Sequence, residues 1–136
     1  MDNKIKGKII FNNYRVKKVT FDLNPEYNQE EVKIDFDILA NIEISEDKDS
    51  MVVEVILNIF KNAIENHYPF SMELIIEGIF TINPDEKDEA VDKYQANAMA
   101  ILFPYIRSLV STYTANSNVT PLILPTININ KYLKKK

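Results

Sequence analysis

The side chains that could perform catalysis are few and scattered. The 136-residue chain contains one histidine, His67, and no cysteine, which excludes thiolate nucleophiles, disulfides and cysteine-based metal sites. Paired carboxylates can cleave glycosidic bonds by acid–base catalysis. Here Asp35 and Asp37, like Glu73 and Glu77, occupy the polar positions of alternating segments, where charges usually only solvate a strand. These residues therefore predict no catalytic dyad.

Nucleophile motifs and phosphate-binding loops are also missing. Ser108 and Ser111 lie outside any Gly-x-Ser-x-Gly context, which a strained nucleophile turn requires. The only glycines are Gly7 and Gly78, too few for a loop that brings backbone close to a phosphate. No set of nucleophile, base and orienting group can be assembled. The sequence predicts no enzyme, no metal site and no cofactor.

Composition and charge are those of an ordinary globular domain. The chain is 46% hydrophobic and 26% charged, which together with its length predicts a single domain over residues 1–136. The net charge of −4 argues against nucleic acid as a partner, and the basic run Lys134–Lys136 is expected only to solubilise the end. No apolar run approaches the about 18 residues that span a bilayer, and no signal peptide is recognisable. We therefore expect a cytoplasmic protein with no membrane insertion.

Alternation of apolar and polar residues predicts four strands, because a period of two is typical of strands with one buried face. We expect them at residues 9–23, 32–44, 51–60 and 70–82. Within the first, Tyr14 and Val16 are out of phase with Phe11 and Val19, which predicts a bulge near residues 13–17. Short polar links after the second and third strands predict antiparallel hairpins. The longer link at 24–30 predicts a crossover.

A period of three to four residues then predicts one main helix, which residues 116–118, Asn-Ser-Asn, end. Its predicted apolar stripe consists of Tyr94, Ala98, Ile101, Leu102, Tyr105, Leu109, Val110 and Tyr113. Pro104 lies inside it and should either kink the helix or begin a second segment. Residues 130–136 are long enough only for a short C-terminal helix. The fold class is thus α+β, a four-stranded, mostly antiparallel sheet with helices on one face. Met51–Phe60 is apolar on both phases, so the open sheet face predicts oligomerisation.

Four segments resemble the SecB family of export chaperones, in order and at matching spacing. Residues 77–82, Glu-Gly-Ile-Phe-Thr-Ile, are similar to the end of that family's last strand. Residues 100–107, Ala-Ile-Leu-Phe-Pro-Tyr-Ile-Arg, are similar to its helix signature. Residues 121–129 resemble its Pro-x-Leu-x-Leu-x-Pro link, and residues 31–37 its second strand. The resemblance covers nearly the whole chain.

The resemblance implies ATP-independent holding of unfolded polypeptides, typically preproteins awaiting export, by a homotetramer built as a dimer of dimers. Apolar grooves would capture such clients through many weak contacts without sequence readout. The matching positions that would bind clients lie on the second strand, the helix-connecting link and the final helix: Val32, Ile34, Phe36, Pro121, Leu122, Ile123, Ile129 and Leu133.

The chain also departs from the family pattern. The resemblance places Asp22 and Glu73 at two docking positions for the SecA motor, but Lys18 reverses the charge at a third and Ser71 replaces an apolar neighbour. The end is short and basic where the family has an acidic tail. SecA contact is therefore in doubt, and a dimer is an alternative to the tetramer. The alternative functions are a dedicated chaperone of a toxin–antitoxin system and a module whose sheet face binds one folded partner.

Overall fold

The computed structural model describes residues 9–127, and within them the α+β class is confirmed, with a four-stranded antiparallel sheet and one main helix. The sheet has the order β1-β4-β3-β2. The strands are β1 (Ile9–Leu23), β2 (Phe36–Ile44), β3 (Ser50–Ile59) and β4 (Phe70–Ile82), and the helices are α1 (Ala63–Asn66) and α2 (Val91–Asn116). The short helix expected at 130–136 lies outside the described residues.

Strand β1 keeps one apolar face because it contains two bulges. Its register against β4 shifts between Phe11 and Asn13 and again between Val16 and Lys18. Each bulge inserts one residue and moves the following side chains to the other face. Tyr14 and Val16 therefore lie opposite Gly78 and Ile76 on the inner face of the sheet. The predicted bulge near residues 13–17 is confirmed and is accompanied by an earlier one.

Strand β2 begins at Phe36, so the prediction that it starts at Val32 is wrong. Residues 32–35 do alternate between apolar and polar, but they form no strand because β3, which pairs with β2, ends at Ile59 opposite Phe36. Strand β3 stops at Ile59, and Phe60 adopts a left-handed φ of 57° that turns the chain toward α1. Since β1 and β2 are the two edge strands, the link between them crosses the width of the sheet, as predicted.

Helix α2 is continuous through Pro104, so no second segment begins there. Its buried side chains are Tyr94, Ala98, Met99, Leu102, Phe103, Ile106, Val110 and Thr114. The predicted stripe is therefore rotated, because the helix is apolar over more than one side. Tyr105 lies on its flank, with ring centroids 5.5 Å from Phe11 and 4.8 Å from Tyr14. No helix within residues 9–127 is long and apolar enough to cross a membrane.

Helix α2 and the sheet are closely packed at Gly78. A Cβ added there would lie 2.8 Å from Cε1 of Phe80 and 2.9 Å from both Cδ atoms of Leu102. Carbon atoms in contact normally stand about 3.5–4.0 Å apart. The absence of a side chain at Gly78 thus leaves the space that Leu102 fills, and this contact helps to seat α2 on the sheet.

Candidate functional site

An apolar groove of about 760 Å³ opens at the end of the sheet where β1 ends and β4 begins. Its floor contains Phe60, Phe70 and Leu23. One wall is the crossover link from β1 to β2, and the other is the segment that follows α2. The lining residues are Leu23, Asn24, Pro25, Tyr27, Gln29, Glu30, Glu31, Val32, Ile34, Phe60, Pro69, Phe70, Val119, Thr120, Pro121 and Leu122.

Asn24 anchors the first end of the crossover wall. Its side chain is 6% exposed and its Nδ2 donates to the carbonyl oxygens of Tyr68, at 2.9 Å, and Ala63, at 3.3 Å. Its backbone N–H donates to the carbonyl of Pro69, and its Oδ1 accepts from the N–H of Glu26. Breaking such buried hydrogen bonds leaves unsatisfied polar groups, which is costly. The start of the wall is therefore held firmly to the β3–β4 connection.

Asp35 anchors the second end, at the surface. The Tyr68 hydroxyl donates to Oδ2 of Asp35 at 2.7 Å, and the Phe60 N–H donates to the Asp35 carbonyl at 2.8 Å. The hydrogen bond to Asp35, with smaller contributions from burial and from the Asp35 charge, raises the pKa of the Tyr68 phenol. The Tyr68 ring also packs on Phe60, with centroids 4.7 Å apart. Both anchors thus attach the crossover wall to one connection.

The second wall is held by three polar side chains of α2. Arg107 Nε donates to the carbonyl of Leu124 at 2.9 Å, and Ser111 Oγ donates to the carbonyl of Leu122 at 3.1 Å. Thr114 Oγ1 accepts from the Leu122 N–H at 2.9 Å and lies 2.8 Å from the Val110 carbonyl oxygen. The spacing of four and three residues places these side chains on one side of the helix. They hold the segment after α2 alongside it.

Thr114→Val should lower the free energy of unfolding by about 1–3 kcal/mol, because it leaves the Leu122 N–H without its acceptor in a buried place. Thr114 is fully buried, so water cannot replace the hydroxyl without rearrangement. Urea denaturation of both proteins measures the difference. Thr114→Ser keeps the hydroxyl and serves as the control, with most of the stability retained. Equal losses in the two variants would contradict the assigned role of the hydroxyl.

The structure brings together four of the predicted binding residues and separates two others. Val32 and Ile34 line the crossover wall, and Pro121 and Leu122 line the wall after α2. Phe36 lies in β2 and packs against the hydrophobic core. Ile123 is 67% exposed and does not line the groove. The two remaining residues, Ile129 and Leu133, lie outside the described residues.

Several residues that shape the groove were not identified from the sequence. Asn24 and Tyr68 occupy links whose hydrogen bonds depend on the three-dimensional course of the chain. Arg107, Ser111 and Thr114 carry a detectable signal, since they recur at spacings of four and three residues along α2. Such a polar row predicts partners beside the helix. His67 is exposed at the end of α1, and residues 9–127 contain no group of three side chains able to hold a metal ion.

The outer sheet face, opposite α2, carries paired charges. Lys18 contacts Glu73 at 2.9 Å, Arg15 contacts Glu77 at 2.7 Å, and Lys17 contacts Glu54 at 2.8 Å. The hydrogen bond from Lys17 is the main cause that lowers the pKa of Glu54. Of the two residues predicted for motor docking, Glu73 is thus ion-paired, and Asp22 lies exposed near the end of β1.

A β1-β4-β3-β2 sheet backed by one long helix, in a chain that a SecB family model matches over nearly its whole length, identifies a SecB-like chaperone. The chain belongs to the SecB family. The family model described as preprotein translocase subunit SecB matches residues 6–136. The resemblance seen in the sequence is therefore confirmed.

Individual proteins and a solved structure are also similar to this chain. An uncharacterized protein of Methanocaldococcus jannaschii is 32% identical over 134 residues, 95% of this chain and 84% of that one. The protein-export protein SecB of Anaplasma phagocytophilum is 31% identical over 87 residues, 61% of this chain and 55% of that one. Among solved structures, a SecB-like chaperone of Mycobacterium tuberculosis, in complex with a peptide from the HigA1 antitoxin, superposes with a TM-score of 0.67 at 14% identity. The match covers 89% of this chain and 88% of that one.

Proposed function

We propose that this chaperone is a holdase, which binds unfolded or non-native polypeptides, including preproteins for export, without ATP and without catalysing a reaction. The groove carries the proposal. It is apolar, open to solvent, and large enough, at about 760 Å³, for several side chains of an extended chain. Its walls present Val32, Ile34 and Leu122 beside an aromatic floor. Such a surface matches the exposed apolar side chains of an unfolded client.

The groove suits many clients better than one sequence. Its lining is mainly apolar, with carboxylates at Glu30 and Glu31 along the crossover wall. Apolar contacts are non-directional, so they favour burial without reading a sequence. We propose that Val32, Ile34, Pro121 and Leu122 contact the client directly. Phe36, Ile123, Ile129 and Leu133 would extend that contact where a longer client segment leaves the groove.

We propose that the protein works in the cytoplasm as a homo-oligomer, a tetramer made of two dimers. The half-buried apolar residues Val52 and Ile56 on the outer face of β3, and the exposed flank of α2 at Tyr105, support association. Several grooves on one oligomer would bind one long client with higher avidity than a single groove. Family membership supports both the compartment and the assembly.

A dedicated client is the second candidate. The M. tuberculosis protein that shares this fold is a SecB-like chaperone in complex with an antitoxin peptide, which supports a single defined client for this chain. The outer face favours this alternative, because Lys18 neutralises Glu73, one of the two acidic residues matched to motor docking. In this alternative the protein does not dock on the SecA motor and is the dedicated chaperone of one client, such as the antitoxin of a toxin–antitoxin pair.

Light scattering after size exclusion, combined with an aggregation assay, tests the holdase proposal. A slowly refolding, unrelated polypeptide is diluted from denaturant with and without the protein, in the absence of ATP. We expect a defined oligomer that suppresses aggregation at a ratio of about one oligomer per client. The same polypeptide added in its folded form should not bind. A defined oligomer with no suppression would favour the dedicated client, and binding only to the folded form would contradict both candidates.

A further inference from the structure

We propose that Tyr68 is a positioning residue whose hydrogen bond to Asp35 latches one end of a strap, residues 25–34, and so sets the width of the groove. The inference rests on the proposed function and adds how the groove adapts to clients of different bulk. The strap is the crossover wall between its two anchors, Asn24 and Asp35. The observation behind the proposal is the unequal strength of these anchors.

The anchor at Asn24 is built to stay closed. The residue is buried, and four hydrogen bonds join its backbone and side chain to Ala63, Tyr68, Pro69 and Glu26. Opening this end would expose several buried polar groups at once without replacing their partners. The start of the strap therefore acts as a fixed hinge.

The anchor at Asp35 is built to open. Asp35 is exposed, and one side-chain bond from Tyr68 and one backbone bond from Phe60 hold it. Water can replace the Tyr68 hydroxyl at an exposed carboxylate, so the net cost of breaking this bond is small. The same Tyr68 ring packs on Phe60, which is part of the groove floor. The latch thus joins the strap to the floor across the edge of the groove.

The strap between the anchors has little to restrain it. Residues 28–34 are all exposed, and they make no backbone hydrogen bonds within the described part of the chain. Val32 and Ile34, which face the groove, lie only one to three residues from the latch. Release of Asp35 would therefore move these two side chains away from the floor while Asn24 and the sheet stay in place. Opening of this kind admits bulkier client side chains.

Hydrogen exchange of single amides tests the latch without any client. Tyr68→Phe removes the hydroxyl and keeps the ring. We expect the Phe60 amide, which donates to Asp35, to exchange about three- to tenfold faster, whereas the Asn24 amide, which donates to Pro69, is unchanged. Asp35→Ala should produce the same pattern. The control Tyr105→Phe removes a hydroxyl from the exposed flank of α2 and should leave both amides unchanged. Unaltered exchange at Phe60 in Tyr68→Phe would overturn the latch.

Client selectivity tests the consequence. Two fluorescein-labelled apolar peptides of equal length are compared, one rich in valine and one rich in phenylalanine. We expect Tyr68→Phe to shift the ratio of their Kd values about threefold or more toward the phenylalanine peptide, and Tyr68→Phe with Asp35→Ala to add nothing further. An unchanged ratio with both peptides bound would overturn the role of the strap. Failure of the parent protein to bind either peptide would overturn the proposed function and the selectivity role, while the exchange experiment still decides on the latch.

Discussion

Val32→Asp combined with Ile34→Asp should weaken capture of an unfolded polypeptide about 30-fold, or by about 2 kcal/mol. The two side chains are 36% and 39% exposed in the free protein, so a client would bury the remaining apolar surface of each. A carboxylate at either position would have to lose water on binding without gaining a partner, which is costly. The larger share of the loss comes from this desolvation. Fluorescence titration with a permanently unfolded client measures it.

The matched control is Leu39→Asp. Leu39 is 42% exposed, close to the exposure of the two groove residues, but it lies on β2 with its side chain on the opposite face of the sheet. The substitution introduces the same charge at an equally exposed apolar site. We expect the affinity of one groove for a short client peptide to change less than about twofold. Leu39 pairs with Ile56 on the face proposed for association, so light scattering reports separately whether the new charge disturbs the oligomer. If Leu39→Asp weakened capture as much as the double variant, clients would be held by the outer face.

Gly78→Ala should destabilise the fold by about 1–3 kcal/mol, because the new Cβ would overlap side-chain atoms that have no room to move. It would lie 2.8–2.9 Å from Phe80 and Leu102, both of which are fully buried. Helix α2 would have to shift away from the sheet. Since Arg107, Ser111 and Thr114 attach the second groove wall to this helix, client affinity should fall together with stability. Chemical denaturation and the titration described above measure the two effects.

A double-mutant cycle separates crowding at Gly78 from a general intolerance of β4. Leu102→Ala alone should cost about 2–5 kcal/mol, because it leaves a cavity in the core. The double variant Gly78→Ala with Leu102→Ala should lose less stability than the sum of the two single losses, by about 0.5–3 kcal/mol, because the new methyl group occupies part of the cavity. Ser71→Ala, on the outer face of β4, is the control and should be near neutral. Strict additivity would show that Leu102 is not the residue that Gly78 accommodates.

The strands were predictable because their information is local. Each keeps a period of two over many residues, and even the phase change in β1 between Phe11 and Val19 predicts a bulge without reference to other strands. The start of β2 was not predictable in this way. Val32 and Ile34 continue the alternation, but a strand needs a hydrogen-bonding partner, and β3 has already turned away at Phe60.

For helix α2, too, some features follow from the local sequence and others depend on tertiary contacts. Its existence and its end near Asn116 follow from spacing and composition. The side that it presents to the sheet does not, because apolar residues cover more than one side. That choice depends on the space above Gly78, which admits Leu102. Tyr105, which the periodicity placed in the buried stripe, lies instead on the flank beside Phe11 and Tyr14.

The sequence by itself determined the fold class, because the alternation of apolar and polar residues is local. Its short motifs carry the resemblance to the family, and that resemblance implied four residues that line the groove, Val32, Ile34, Pro121 and Leu122. Only the tertiary structure decided how these residues meet and what holds them. The anchors Asn24 and Tyr68 bond to segments distant in sequence, and the pairing of Lys18 with Glu73 depends on the register between β1 and β4. Contacts of this kind arise only when separate elements pack against one another, and no local pattern of residues encodes them.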